Sequence, residues 1–238
     1  MGLKPIIFCD FDGTITQIDV TDLILTELAH PSWREVEQEW VRGAIGSREC
    51  LERQMALVET SETELNALID SVPVDPHFEK FYRFVGRRKL PFYVLSDGFD
   101  YVIRRVLKRA GVDGQLRNGT HLFASSLRLE GRRVVTSYTY PPAPCGHGCA
   151  TCKVGILRRM ARDHHPTIYI GDGVSDRFAV EESDVVFAKR KLAAYCRERG
   201  VACQEFENFA EIESAIRGLI GKPPARRPRA SVAPVTAD

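Results

Sequence analysis

The chain of 238 residues has almost no net charge: 33 lysines and arginines stand against 32 aspartates and glutamates, a formal balance of +1. No basic field is left over to hold a phosphate backbone, so no nucleic acid is expected as a partner, and no acidic excess points to a basic one. No apolar run approaches the roughly 20 residues that span a bilayer, and no charged segment followed by an apolar one opens the chain. Membrane association is therefore not expected, and the cytoplasm is the expected compartment. The 7 cysteines are an odd number, scattered as Cys9, Cys50, Cys196 and Cys203 apart from a cluster of Cys145, Cys149 and Cys152. A disulfide framework is not expected from that pattern; reduced thiols are. Internal repeats are also missing. What remains, 44% hydrophobic and 27% charged residues, is globular material sufficient for one large domain or a core domain carrying a smaller one.

Residues 5–10, "PIIFCD", form a continuous apolar run with β-branched members, the pattern of a strand buried on both faces. Four helical patterns follow, "DVTDLILTELA", "SWREVEQEWVRG", "SRECLERQMALV" and "SETELNALIDSV", each opening near Ser, Thr or Asp and spacing apolar residues three and four apart. "VDPHFEKFYRFVGRRKL" predicts a further helix and "PFYVLSDG" a buried strand. "DYVIRRVLKRAGV" predicts a helix with Tyr101, Val102, Ile103, Val106, Leu107 and Ala110 on one face, capped at Gly111. Residues 122–138 read as a hairpin turning at Glu130 and Gly131, "CKVGILRRMARDHH" as a helix, "PTIYIGDG" as a strand, "VSDRFAVEES" as a helix and "DVVFA" as a strand. The segment from 222 to 238 is rich in Pro, Ala and Arg without apolar period and is expected to be disordered.

This alternation predicts an α/β doubly wound parallel sheet, in which ligands bind beyond the carboxyl ends of strands. Three apolar strands run into polar clusters there: "CDFDGT", "LSDG" and "GDGVSD". Asp10 and Asp12, two positions apart in extended chain, point the same way and crowd two like charges together. Some cation has to sit beside them.

"DFDGT", "SDG", Lys153 and "GDGVSD", in that order over residues 10–176, resemble the four motifs of the haloacid dehalogenase superfamily, specifically its phosphatases. The resemblance implies a Rossmann-like core with Asp10 as nucleophile and Asp12 as acid/base. It further implies that Lys153 and the Ser96 hydroxyl bind phosphate, and that Asp172 and Asp176 hold Mg²⁺. Physical chemistry agrees with each assignment. A phosphomonoester dianion repels a carboxylate nucleophile unless a divalent cation and Lys153 neutralise the phosphoryl oxygens. Mg²⁺ keeps several waters, so Asp10, the backbone carbonyl of Asp12 and Asp172 suffice as protein ligands. Asp176 is either a further ligand, a support behind the ligands, or a cap of the next helix. Asp12 is placed to protonate the leaving alkoxide and then to deprotonate the attacking water. Thr14, Ser96, Asp97, Gly98 and Lys153 make up the expected phosphate-binding set, with Asp97 adding a negative charge to it. The expected partner is a small phosphomonoester.

Residues 17–75 are expected to be a helical cap on a core of 1–16 and 76–221. The insertion resembles the cap of the phosphoserine phosphatase branch, where an acid and an arginine hold the substrate; Asp19 and Arg53 are the matching residues, or else solvated surface charges. "CGHGCATCK" is the most unusual stretch. Cys145, His147, Cys149 and Cys152 offer four zinc ligands in one compressed cluster, or a loop of reduced thiols packed beside Lys153. That loop, "DFDGTIT" and "ECLERQM" resemble the methionine-salvage phosphatases acting on 2-hydroxy-3-keto-5-methylthiopentenyl-1-phosphate, although those enzymes carry "SGG" where this chain has "SDG". Such a phosphatase is the first expectation. A phosphoserine or other small-metabolite phosphatase is the second, and a noncatalytic zinc-dependent interaction module the alternative of a different class.

Overall fold

The computed structural model describes residues 4–112, 121–140, 148–161 and 165–220. Strand β1 (Ile6–Cys9) is buried on both faces and lies at the centre of a seven-stranded sheet. β2 (Phe92–Phe99) pairs parallel on one side and β5 (Thr167–Gly171) parallel on the other. Outward from β2 come β3 (Leu122–Glu130), parallel, and β4 (Arg133–Ser137), which returns antiparallel at the edge. β6 (Val185–Ala188) and β7 (Gln204–Glu205) extend the other half, both parallel. The expected parallel sheet is present. Strand order reverses at β1, so the crevice beyond its carboxyl end is the topological switch point where open α/β sheets take ligands.

Strand alternation divides the interior into two cores. Ile7, Cys9, Val94, Ile168 and Ile170 face α5 (Phe78–Arg88), α6 (Asp100–Arg109) and α10 (Phe209–Ile220). Ile6, Phe8, Leu95, Tyr169 and Val186 face α7 (Lys153–Met160), α8 (Arg177–Glu181) and α9 (Arg190–Arg199). In α6 the buried residues are Val102, Ile103, Val106 and Leu107, with Tyr101 half-buried, and the chain turns at Gly111 with φ of 74°. The hairpin turn lies one residue later than expected. Glu130 pairs with Arg133, and Gly131 takes the positive φ that the first loop position of a two-residue hairpin demands.

Between β1 and α5 the chain inserts four helices: α1 (Val20–Leu28), α2 (Trp33–Val41), α3 (Ser47–Met55) and α4 (Glu62–Asp70). Their starts follow local chemistry. Asp19 caps α1 by accepting from the Asp22 N–H, and Ser61 with Glu64 closes a capping box on α4. The two connections to the sheet run side by side, with Gln17 N–H donating to Pro73 O at 2.9 Å and Asp75 N–H to Ile15 O at 2.9 Å. Val20, Ile24, Leu25, Leu65 and Ile69 join the same apolar cluster as α5 and α6, so the insertion is packed onto the sheet's first core.

At the far end of that core, Phe209 of α10 meets Phe78 and Phe81 of α5 with ring centroids 5.0 Å apart in both cases. All three rings are fully buried. Phe209→Ala should cost about 3–5 kcal/mol of stability, the usual range for an unfilled aromatic cavity. Urea unfolding monitored by circular dichroism checks it, and a loss below about 1 kcal/mol would show that α10 contributes little to the core.

Candidate active site

Three strand ends converge at the switch point. β1 continues one further hydrogen bond, Asp10 N–H to Ile170 O at 2.9 Å, which fixes the Asp10 backbone before the chain turns. Gly13 makes that turn at φ of 69°, and a Cβ there would lie 2.3 Å from Asp172 Oδ2, so only glycine lets the loop lie against that carboxylate. On β2 the pairing with β3 shifts register: Leu95 opposes Phe123 and Phe99 opposes Ser125, so Ser96, Asp97 and Gly98 together face the single residue Ala124. This bulge lifts Ser96 and Asp97 off the ladder and toward the site. β5 ends at Gly171, followed by Asp172 and a 3-10 turn, Val174–Asp176.

A buried ammonium group links the three. Lys153 Nζ lies 2.7 Å from Asp10 Oδ1, 2.7 Å from Asp176 Oδ1 and 3.1 Å from Ser175 Oγ. Asp176 is completely buried and saturated: it also accepts from the Tyr169 hydroxyl at 2.7 Å and from the Asp172 and Gly173 N–H groups at 3.3 and 3.2 Å. The Thr14 hydroxyl lies 3.3 Å from Asp10 Oδ2 and 3.3 Å from Asp172 Oδ1. Carboxylate oxygens of Asp10, Asp172 and Asp176 all fall within 4.8 Å of one another. Burial, and then the Asp176 charge, push the Asp10 carboxyl well above the usual range, with Lys153 opposing. Asp172 is raised as well, by burial and again by Asp176. One lysine does not balance three acids. A hard oxygen donor set with surplus negative charge fits a small divalent cation such as Mg²⁺.

Asp12 stands apart from this pole. Its Oδ1 accepts the Val20 N–H at 3.0 Å and its Oδ2 the Ser96 hydroxyl at 3.2 Å, while Ser96 is itself oriented by the Gly98 N–H at 2.9 Å. Burial and the neighbouring Asp19 charge push Asp12 up to about 8. Two carboxylates in one site thus hold different environments, one ion-paired and one hydrogen-bonded and poised to carry a proton.

A cavity of about 380 Å³ opens above these groups, lined below by Asp10, Asp12, Asp172 and Gly98 and above by residues of the inserted helices. Asp19 lines it; Arg53 does not, being paired with Glu39 at 2.7 Å and Glu49 at 3.5 Å. Asp97 also lines it, with one carboxylate oxygen accepting from Ser47 and the other from Thr151. Of the cysteine cluster, Cys145 and His147 lie outside the described residues, and Cys152 caps α7 by accepting from the Gly155 N–H at 3.4 Å. Among the described residues, Asp10, Asp172 and Asp176 are the only group placed to share a metal.

Several contributors escaped the sequence reading. Tyr169 and Ser175 complete the shells of Asp176 and Lys153, and a polar tip on an otherwise apolar strand was the available signal for Tyr169. Arg190 holds an unusual φ of 51° and donates to Gly13 O, Gln17 O and Asp172 at 3.2, 2.7 and 3.3 Å, clamping the turn after β1. Trp40 and Glu37 enter the cavity from α2.

Comparison with known proteins gives a consistent picture. A sequence model described as haloacid dehalogenase-like hydrolase matches residues 7–181. The 2-hydroxy-3-keto-5-methylthiopentenyl-1-phosphate phosphatase of Lysinibacillus sphaericus is 27% identical over 225 residues, 92% of this chain and 96% of that protein. The bifunctional enzyme MtnB/MtnX of Bacillus licheniformis is 30% identical over 212 residues, 88% of this chain but 48% of that longer protein. A substrate-bound phosphoserine phosphatase shares the fold with a TM-score of 0.66 at 18% identity, covering 90% of this chain and 99% of that one. A hydrolase from Salmonella enterica serovar Typhi does so with a TM-score of 0.68 at 18% identity, covering 89% and 70%.

Removing the central cation should be costly. Lys153→Met leaves Asp10 and Asp176 buried without their countercharge, and should lower stability by about 3–5 kcal/mol when unfolding is measured in EDTA. An unchanged midpoint would mean that the two ion pairs contribute no net stability.

Proposed function

The chain belongs to the haloacid dehalogenase-like hydrolases, and from that premise we propose that it is a Mg²⁺-dependent phosphomonoesterase working through an aspartyl phosphate on Asp10. Its first candidate substrate is 2-hydroxy-3-keto-5-methylthiopentenyl-1-phosphate. The single observation that carries the reaction type is the division of labour between the two acids: Asp10 is held at 2.7 Å by Lys153, while Asp12 sits outside that pair with hydrogen bonds of its own.

Asp10, the Asp12 carbonyl and Asp172 would hold the metal, with Asp176 fixing Lys153 and the Asp172 loop from behind through its four hydrogen-bonding contacts. When bound, Mg²⁺ supplies charge neutralisation at the phosphoryl oxygens and at the attacking carboxylate. Lys153 brings a second positive charge to the same oxygens, and the Thr14 and Ser96 hydroxyls are the nearest neutral hydrogen-bonding groups. A carboxylate oxygen of Asp10 attacks phosphorus in line as the P–O bond to the leaving group breaks. Asp12, protonated, gives its proton to the departing alkoxide and afterwards takes one from the water that cleaves the aspartyl phosphate. Residues 17–75 act as the cap over a core of 1–16 and 76–221, excluding water and shaping the leaving-group pocket.

Preference among substrates rests on Arg53. A phosphoserine-type substrate needs a cation for its carboxylate, and the one cap arginine matched to that task is committed to Glu39 and Glu49 away from the cavity. The cap side instead offers Trp40, Leu51, Gln54 and the acids Asp19, Asp22 and Glu37 with no cation, a lining that disfavours a substrate carboxylate there; Arg190 and Lys191 line the cavity from the core side.

Phosphate release from a panel including both phosphate esters, with Mg²⁺ or EDTA and Asp10→Asn as blank, tests the reading. Magnesium-dependent turnover, at least about 10³-fold lower in the variant, is expected, with the methylthiopentenyl ester preferred. Preference for phosphoserine would overturn the substrate, and turnover surviving in Asp10→Asn would overturn the nucleophile. The proton donor gives a pH signature. Because Asp12 must be protonated to transfer its proton, kcat/KM should fall as pH rises through about 8. A cation at the neighbouring carboxylates stabilises ionised Asp12 and moves that limb lower. A profile flat to pH 10 would contradict the role.

A further inference from the structure

Asp97 is the acid that the proposed reaction does not use. Its Oδ2 accepts from the Ser47 hydroxyl at 3.1 Å, and its Oδ1 from the Thr151 backbone N–H at 3.0 Å. Ser47 opens helix α3 of the inserted unit, and Thr151 lies two residues before Lys153. The same two segments meet again through Ala150 N–H to Ser47 Oγ and Arg48 N–H to Gly148 O, both at 3.0 Å. Their backbones pack so closely that a Cβ on Gly46 would stand 2.5 Å from Gly148 O, so the contact is fitted rather than incidental. The Ser47–Asp97 pair also stands in the wall between the active-site cavity and a second cavity of about 420 Å³ that reaches Lys153.

We propose that Asp97 is a positioning residue, a latch that ties the amino end of α3 to the segment carrying Lys153, so that closure of the helical unit and placement of the lysine occur together. The assignment rests on the reading of Lys153 as a phosphate partner. Three features of Asp97 fit the task. It sits on the β2 bulge, between the two segments it joins; it has one oxygen for each; and it is half-buried, where hydrogen bonds to a carboxylate are stronger than in open water. Its carboxylate would also repel a phosphate, which argues that its place beside the site is not for binding one. Release of the latch would free α3 to swing and, in the same step, free the backbone that leads into α7.

The test uses the full chain and two readouts. Amide hydrogen exchange at Arg48, Ala150 and Thr151 should accelerate together by roughly tenfold in Asp97→Ala. Ser47→Ala should do the same, and the double variant should add little, because both deletions break one connection. Asp97→Asn, whose amide can still accept from Thr151 and reach Ser47, should restore exchange to within about threefold. In kinetics, Asp97→Ala should lower kcat about tenfold with KM changed less than about threefold, since binding to the open form is retained. The latch is overturned if exchange rises at Thr151 alone, if the Ser47 and Asp97 effects add, or if kcat is unchanged while exchange rises. Should Asp97→Ala not fold, Ser47→Ala and Asp97→Asn decide the matter by exchange. The exchange measurement needs no substrate, so a failure of the proposed phosphatase reaction and a failure of the latch remain distinguishable.

Discussion

The contact on which the site depends is the ammonium group of Lys153 buried between Asp10 and Asp176, 2.7 Å from each. Without it two carboxyl groups would face each other in the interior with no countercharge, and isolated buried charge costs far more than a fold of this size can absorb. The lysine comes from the first residue of α7, Asp10 from the end of β1, and Asp176 from the turn after β5. Two salt bridges from one lysine therefore join the central strand, its neighbour β5 and a flanking helix at the switch point. Asp172, the third acid, has Arg190 at 3.3 Å, which leaves three acids against two paired cations, and the oxygen donors they bring together make the place suitable for a divalent cation.

Much of this was readable in the sequence, because buried strands that end in acids and glycines combine two strong local signals. "IIFC", "FYVL" and "TIYI" are apolar because they are covered on both faces, and the polar residues after each can only stand at the rim. The helices α1 to α4 were equally readable from periodicity, with side-chain caps at the starts of α1 and α4. The region after β6 was not. α9 carries charged residues at five of its ten positions, β7 is two residues long, and α10 lies beyond both, so none offered a local signal strong enough to place. Arg190 was missed with them, although its clamp on the turn after β1 is among the more specific contacts in the site.

Pairings distant in sequence were the other limit. Asp97 reads as a charge next to the phosphate-binding serine, and only the fold shows that its oxygens are turned to Ser47 and Thr151. Arg53 reads as a cap cation facing the substrate, yet it completes ion pairs with Glu39 and Glu49 on the helices' outer side. In both cases the residue type was informative and its direction was not, because direction is set by how α2 and α3 pack on each other and on the sheet. The cavity that results has a strongly charged floor of sheet-end residues and a roof of Trp40, Leu51 and Gln54. In the proposed reaction, chemistry falls to the sheet and selection to the inserted helices.

The central claim is that Asp10 accepts the phosphoryl group, and the Asp12→Asn variant offers the most direct way to see it. With p-nitrophenyl phosphate the leaving group departs without a proton, so transfer to Asp10 can still occur, whereas hydrolysis of the aspartyl phosphate lacks its base. Acid quenching during turnover, followed by peptide mapping, should find phosphate on the peptide containing Asp10 in amounts approaching one per chain. No covalent phosphate, or phosphate carried by any other residue, would contradict the account.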